Sequence, residues 1–347
     1  MTHHYYDNPV PLWVINITGF CVCITASLFL IQLYAQERAT VQVQMEQIAE
    51  RTLPLPDELE NNPFKDIGLE AKAAIVFDVS NQRIIYSFNS ELQLPLASIT
   101  KLMTAIVALE TLPSFTTIPI ARRDVEYDPK LKVGESWPLE NLLKYTLITS
   151  SNTGADSAAL AVAAFLDGEG ATPATTEEIS HDAFIRAMNI KAQGLGLAQT
   201  YFLNGSGLDT QAKISGAYGS AKDVATFVAY ALEKHPGLFG ATREESTTFR
   251  APDGRAIEAI NTNASVSTIP GILGSKTGLT DLAGGNLVIA FDASFGEPYI
   301  VVVLGSTEEG RFSDTEKLVN ATITYLGSGL YDPSNRAKTS TPNVVAP

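Results

Sequence analysis

Ser98-Ile99-Thr100-Lys101 places a hydroxyl and an amine three residues apart. On a helix that spacing puts both side chains on one face, within reach of each other. A lysine whose charged form is disfavoured by burial or by a nearby cation can take a serine proton, which makes the serine a nucleophile. A helix starting here also offers free N–H groups and the positive end of its dipole to a developing oxyanion. The competing arrangement is Ser98 as a helix N-cap with Lys101 in solvent. Histidine is a poor alternative base in this chain. Of the four histidines, His3 and His4 lie in the first few residues, His235 precedes Pro236-Gly237 at an expected helix end, and His181 stands at an expected helix start. The sequence has neither a G-x-S-x-G elbow nor an H-E-x-x-H pair.

Two further groups carry suitable side chains. Ser150-Ser151-Asn152 lies just ahead of a helical run, and Lys276-Thr277-Gly278 stands before a late pair of strands. The stretch Gly271–Thr277 has the outline of a phosphate-binding G-x-x-x-x-G-K-[ST] loop. That loop needs glycine where Ser275 stands, and a helix after it, whereas Gly284-Gly285 and a strand follow. Phosphate binding is therefore set aside.

The elements that must position these residues can be read coarsely. Lys72–Val79 and Arg83–Phe88 are β-rich runs joined by Ser80-Asn81-Gln82, a hairpin pattern. Ser98–Glu110 reads as a helix with its apolar residues clustered on one side. Helical patterns recur over Leu139–Ile148, Asn152–Leu166, Asp182–Gln193 and Ala221–Glu233. Thr247–Arg250 and Ala256–Ile260 flank Asp253-Gly254, a second hairpin signal. Leu287–Phe291 and Tyr299–Leu304 are dense apolar strands, and Asp314–Leu326 is a closing helix. Strands at both ends around a helical middle define an α+β fold: an antiparallel sheet flanked by helices, with an inserted helical lobe.

Composition narrows the partners. The 347 residues carry a net charge of −14, which argues against nucleic acid. Two cysteines, Cys21 and Cys23, cannot build a disulfide framework or a four-cysteine zinc site. Both lie in Leu12–Ala35, a mostly apolar stretch of 24 residues without a charge. About 20 such residues span a bilayer as a helix. The start lacks the basic residues of a cleavable signal, and no clear A-x-A site follows. The chain is therefore expected to divide into a tail (1–11), one transmembrane anchor (12–35), a tether (36–69), a catalytic domain (70–326) and a disordered tail (327–347).

The order S-x-x-K, S-x-N, K-T-G is that of penicillin-binding proteins and serine β-lactamases. The surrounding text matches further: PLASITKLMTAIVALE over Pro95–Glu110, NGSGLD ending at Asp209, YGSAKDVA over Tyr218–Ala225 and GSKTGLTDLAGGNL over Gly274–Leu287. The chain thus resembles the D-alanyl-D-alanine carboxypeptidase family over about residues 70–326. The resemblance implies a fold like that of β-lactamases and penicillin-binding proteins, and no metal or cofactor. It implies that Ser98 attacks the penultimate D-alanine carbonyl of a peptidoglycan stem peptide, with Lys101 as general base. Ser150 would pass a proton to the leaving D-alanine, and Asn152 would hold the substrate amide. Lys276 and Thr277 would hold the terminal carboxylate. Gly278 would let the substrate lie along its strand. The oxyanion would meet the backbone N–H groups of Ser98 and Leu279.

Departures from the family temper the reading. Many relatives carry a C-terminal β-domain and an amphipathic membrane helix, whereas about twenty loose residues follow the closing helix here. The N-terminal anchor would then do the tethering, with the catalytic domain outside the membrane. Ser151 replaces a frequent glycine, and Asp167–Ser180 is a variable loop. The E-x-x-x-N motif that speeds deacylation in class A β-lactamases is missing between Asn152 and Lys276, so β-lactams are expected to be slowly released covalent inhibitors. Three activities stay open: D,D-carboxypeptidase, D,D-endopeptidase, and an inactive peptidoglycan-binding anchor.

Overall fold

The run Ile300–Leu304 is apolar throughout, so a strand built from it must be covered on both faces. In the computed structural model, which describes residues 62–121, 127–168, 181–293 and 296–328, this run is the middle of a five-stranded antiparallel sheet. In chain order the described elements are β1 (Ala73–Asp78), β2 (Arg83–Phe88), β3 (Leu94–Pro95), α1 (Thr100–Thr111), β4 (Thr117–Pro119), β5 (Ser136–Pro138), α2 (Leu139–Thr149), α3 (Asn152–Leu166), α4 (Asp182–Gly194), β6 (Tyr201–Phe202), β7 (Ala217–Gly219), α5 (Ala221–Lys234), α6 (Pro236–Phe239), β8 (Ser246–Arg250), β9 (Ala256–Ile260), β10 (Ile272–Thr280), β11 (Gly284–Asp292), β12 (Pro298–Ser306) and α7 (Gly310–Gly327). The sheet runs β10-β11-β12-β1-β2, which leaves β10 at an edge.

Alternation along the strands sends one set of side chains to each face. Val76, Leu287, Ile289, Val301 and Val303 pack beneath Leu318, Val319 and Tyr325 of α7. On the opposite face α5 lies against β12 and β1. The elements from β3 to β9 are inserted between β2 and β10 and form the helical lobe. The sheet and lobe expected from the sequence are both present.

Helix α1 differs from its reading as a one-sided amphipathic helix. Every residue from Thr100 to Ala108 is buried, because α1 is packed by α2, α3, α4 and α5. Of its buried threonines, Thr104 donates to the Gly205 carbonyl at 2.6 Å. Two other differences have local causes. Strand β10 lacks an apolar run, and its extended form comes from its ladder with β11. Helix α7 starts at Gly310, four residues before the expected start, with the Gly310 N–H donating to Thr307 Oγ1.

Upstream of β1, Asn62 to Leu69 were read as part of the tether, yet Phe64 belongs to the core. Its ring stacks on Tyr86 with centroids 5.2 Å apart and meets Tyr325 at 5.9 Å. Among the described residues no helix is long and apolar enough to cross a membrane. The anchor expected over residues 12–35, the rest of the tether up to residue 61, most of the loop 167–180 and the tail beyond Ser328 lie outside the described residues.

One buried carboxylate joins the sheet to α7. Asp314 is fully buried and accepts from the backbone N–H of Ala71 (2.9 Å), from that of Glu70 (3.0 Å) and from Ser306 Oγ (2.8 Å). Removing it strands three donors, each worth roughly 1.5–3 kcal/mol to a charged acceptor. Asp314→Ala is expected to lose roughly 3 kcal/mol or more of stability in urea titrations; a loss under about 1 kcal/mol would contradict this role.

Candidate active site

Ser98 lies in a single 3₁₀ turn, Ala97–Ile99, between β3 and α1. It does not cap α1: the N-cap position is Ile99, without a side-chain cap bond. Its hydroxyl instead faces Lys101, whose Nζ is 2.8 Å from Ser98 Oγ. Lys101 is completely buried and also donates to Asn152 Oδ1 at 2.7 Å and to the Ser206 carbonyl at 2.8 Å. The sequence signalled the first two partners. The third came from the fold, through a turn built by Asn204, whose Oδ1 accepts from the N–H groups of Ser206 (3.2 Å) and Gly207 (2.6 Å).

The second wall is the joint between α2 and α3. Ser150 ends α2 in a left-handed conformation, with φ 60° and ψ 29°. Ser151 then caps α3 by accepting from the Gly154 N–H at 3.2 Å. The frequent glycine at this position is thus replaced by a residue with a capping task. Ser150 and Asn152, on either side of it, both line the cleft.

Strand β10 forms the third wall. As the edge strand it pairs with no second strand among the described residues, although the Ser275 N–H donates to Thr242 Oγ1 at 2.8 Å. Lys276 donates to Ser150 Oγ and to the Thr277 carbonyl, each at 2.9 Å. Gly278 is required by close approach: a β-carbon there would lie 2.9 Å from the Leu96 carbonyl oxygen and 3.2 Å from Ala97 Cβ. The missing side chain therefore lets β10 close on the nucleophile turn. Leu279 is exposed at the rim of the same cleft.

The cleft between these walls has a volume of about 550 Å³ and is lined by Ser98, Ser150, Asn152, Thr277, Gly278 and Leu279. Two lining residues carried no sequence signal. Thr262 places its hydroxyl 2.6 Å from Thr277 Oγ1. Arg311, near the start of α7, donates from Nη1 to the Gly278 carbonyl at 3.0 Å, while its Nε has no hydrogen-bond partner among the described residues. They lie 14 residues before and 35 after Lys276 in the chain, outside any motif. His181 and His235 sit elsewhere, His181 Nε2 at 2.9 Å from Asp156 and His235 Nε2 at 3.5 Å from Glu110.

Burial holds the Lys276 amine well below its ordinary range, and the cations of Lys101 and Arg311 push it the same way. A lysine whose folded-state pKa is depressed binds fewer protons in the folded than in the unfolded chain, between the depressed value and about 10.5. Stability conferred at this position therefore rises with pH across that window. Lys276→Met is expected to raise the melting temperature at neutral pH and to flatten its rise towards pH 10. A wild-type melting temperature with the same pH slope as the variant's would contradict the assignment.

A buried serine–lysine pair, met across an edge strand by a second serine–lysine pair, on an antiparallel sheet with a helical lobe, defines the penicillin-binding-protein and β-lactamase class of fold. Within it, the chain belongs to peptidase family S11, D-alanyl-D-alanine carboxypeptidase, whose family model matches residues 60–308. These are serine-peptidase hydrolases, and the resemblance read from the motifs is borne out. The chain is 28% identical over 263 residues to D-alanyl-D-alanine carboxypeptidase DacF of Bacillus subtilis, which covers 74% of this chain and 62% of that protein's length. It is 29% identical over 258 residues to D-alanyl-D-alanine endopeptidase of Pseudomonas aeruginosa, covering 72% and 76% of the two chains. Among solved structures, penicillin-binding protein D2 from Listeria monocytogenes in its cefotaxime-bound form superimposes with a TM-score of 0.61 at 29% identity, covering 74% of this chain and 98% of that one.

Proposed function

We propose that this protein is a membrane-anchored D,D-carboxypeptidase that removes the terminal D-alanine of peptidoglycan stem peptides through an acyl-enzyme on Ser98. The observation that carries the reading is the set of partners around Lys101. A neutral amine has two N–H groups and one lone pair. Asn152 Oδ1 and the Ser206 carbonyl are acceptors for the two N–H groups, so the lone pair is left for Ser98 Oγ at 2.8 Å. Lys101 then takes the serine proton as Oγ bonds to the carbonyl carbon of the penultimate residue. The N–H groups of Ser98 and Leu279 receive the oxyanion. As the carbon–nitrogen bond breaks, Ser150 passes a proton to the departing amine and takes back from Lys101 the one that came from Ser98. A water deprotonated by Lys101 then attacks the acyl carbonyl, and the proton returns to Ser98 Oγ as the shortened peptide leaves.

Recognition follows from charge and shape. The stem peptide adds alongside β10 as an extended strand, with Gly278 leaving room. Its terminal carboxylate meets Thr277, Lys276 and Arg311, and adds a counter-charge beside the buried Lys276 amine. The relative with bound cefotaxime supports β-lactams as covalent inhibitors of the same serine. Endopeptidase activity on cross-links uses the same residues with a larger leaving group. That second reading is favoured by the match to the Pseudomonas endopeptidase, which extends over 76% of its length. An inactive peptidoglycan-binding role finds no support in a cleft whose serine–lysine contacts are all formed. The uncharged stretch 12–35 supports a single-pass anchor with the catalytic domain outside the cytoplasm.

Labelled penicillin is expected to attach covalently to the wild-type protein and not to Ser98→Ala; labelling that persists in the variant would remove Ser98 from its role. Mass spectrometry of purified muropeptides separates the two activities. Loss of one alanine from pentapeptide monomers supports trimming, and conversion of cross-linked dimers to monomers supports the endopeptidase. Arg311→Ala is expected to raise KM for a substrate with a free terminal carboxylate roughly tenfold or more, as the loss of a charge-assisted hydrogen bond requires. An unchanged KM would exclude a carboxylate contact at this guanidinium.

A further inference from the structure

The residue before the nucleophile is held in an unfavourable conformation. Ala97 has a φ of +48°, in the left-handed region that a β-carbon resists. Two contacts grip the turn on either side of it. On one side Gly207 packs so tightly on the Ala97 carbonyl that a β-carbon at 207 would lie 1.9 Å from its oxygen. On the other side is Asn286 of β11, a fully buried amide. Its Nδ2 donates to the carbonyls of Pro95 (3.0 Å) and Leu96 (3.1 Å), and its Oδ1 accepts from the Gly305 N–H at 2.8 Å.

The position of Asn286 in the ladder gives these bonds a second meaning. It stands directly opposite Gly278, next to the pair Leu279 and Gly285. Its backbone therefore belongs to the ladder that fixes Leu279, while its side chain fixes the two residues leading into Ala97-Ser98. The two N–H groups assigned to the oxyanion come from separate segments, the nucleophile turn and β10. Asn286 links both segments, and the Gly305 bond ties it to β12.

We infer that Asn286 is a positioning residue that sets the spacing between the Ser98 and Leu279 backbone N–H groups receiving the oxyanion. This rests on the acyl-transfer reading above. Its consequence is kinetic. Loss of the amide leaves the carboxylate-binding side of the cleft in place but frees the turn to relax from its left-handed form, so acylation slows while the preceding non-covalent binding does not.

The test is the time course of acylation by labelled penicillin in the full chain, resolved into a dissociation constant and a first-order acylation constant. Endpoint labelling and circular dichroism count the folded molecules. Asn286→Ala and Asn286→Asp both remove the donor, and they differ in size and charge, so one folded variant suffices. The acylation constant per folded molecule is expected to fall about 30-fold or more, short of the roughly 100- to 1,000-fold that outright loss of one oxyanion donor costs because the N–H is displaced and not deleted, with the dissociation constant unchanged. Adding Ala97→Gly to Asn286→Ala is expected to recover part of the rate, because glycine does not resist a positive φ. A wild-type acylation constant in the folded variants overturns the inference, as does a loss confined to binding. Failure of the wild-type protein to label at all would instead refute the acyl-transfer reading.

Discussion

Two lysine amines are buried in one cleft, and most of the surrounding structure answers to that fact. Lys101 and Lys276 are both essentially inaccessible to water, so each loses its hydration and depends on the bonds that the fold provides. Isolated cations in such a place are costly unless their protons are bonded or surrendered. The fold supplies neutral acceptors: Ser98 Oγ, Asn152 Oδ1 and the Ser206 carbonyl around one amine, Ser150 Oγ and the Thr277 carbonyl around the other. Like charges nearby, with Arg311 as a third cation, then favour a neutral base beside Ser98 and an incoming carboxylate at the far wall.

That arrangement dictates the architecture around it. Helix α1 is buried over Thr100–Ala108, which keeps Lys101 dry and leaves Thr104 to bond to the Gly205 carbonyl of a neighbouring segment. Strand β10 lies at the sheet edge, where Thr277, Gly278 and Leu279 line the cleft. The left-handed Ser150 and the capping Ser151 turn the chain sharply enough to bring Ser150 and Asn152 to the same cleft from two different helices. Backbone strain at Ala97 and Ser150 is thus concentrated beside the reacting groups, where surrounding contacts over-determine it.

Membership of family S11 accounts for the three motifs and the sheet with its lobe. Further contacts tie the edges of the domain together. The packing of Phe64 against Tyr86 and Tyr325 draws residues ahead of β1 into the core, and the buried Asp314 links the start of that strand to α7. Helix α7 in turn carries Arg311 to the cleft, so the first strand, the last helix and the β10 wall are mechanically connected. Exposed Leu279 offers the rim an apolar side chain with no charge of its own.

Much of this was written in the sequence, because its signals are local. Residues three apart on a helix must share a face, so Ser98 and Lys101 were a pair before any fold was known. Apolar density marked β11, β12 and the helices to within a few residues, since burial on one or both faces leaves a periodic or continuous trace. The order of the three motifs identified the family. Other features left no local trace. The two- and three-residue strands are too short for a period, and β10 is extended only because β11 pairs with it. Thr262, Ser206, Asn286 and Arg311 reach the site from distant segments, by contacts that have no counterpart in spacing along the chain. Residue types and their neighbours determined which chemistry was available; only tertiary packing decided which amine was buried, which carbonyl accepted its hydrogen bond and which strand lay at the sheet edge.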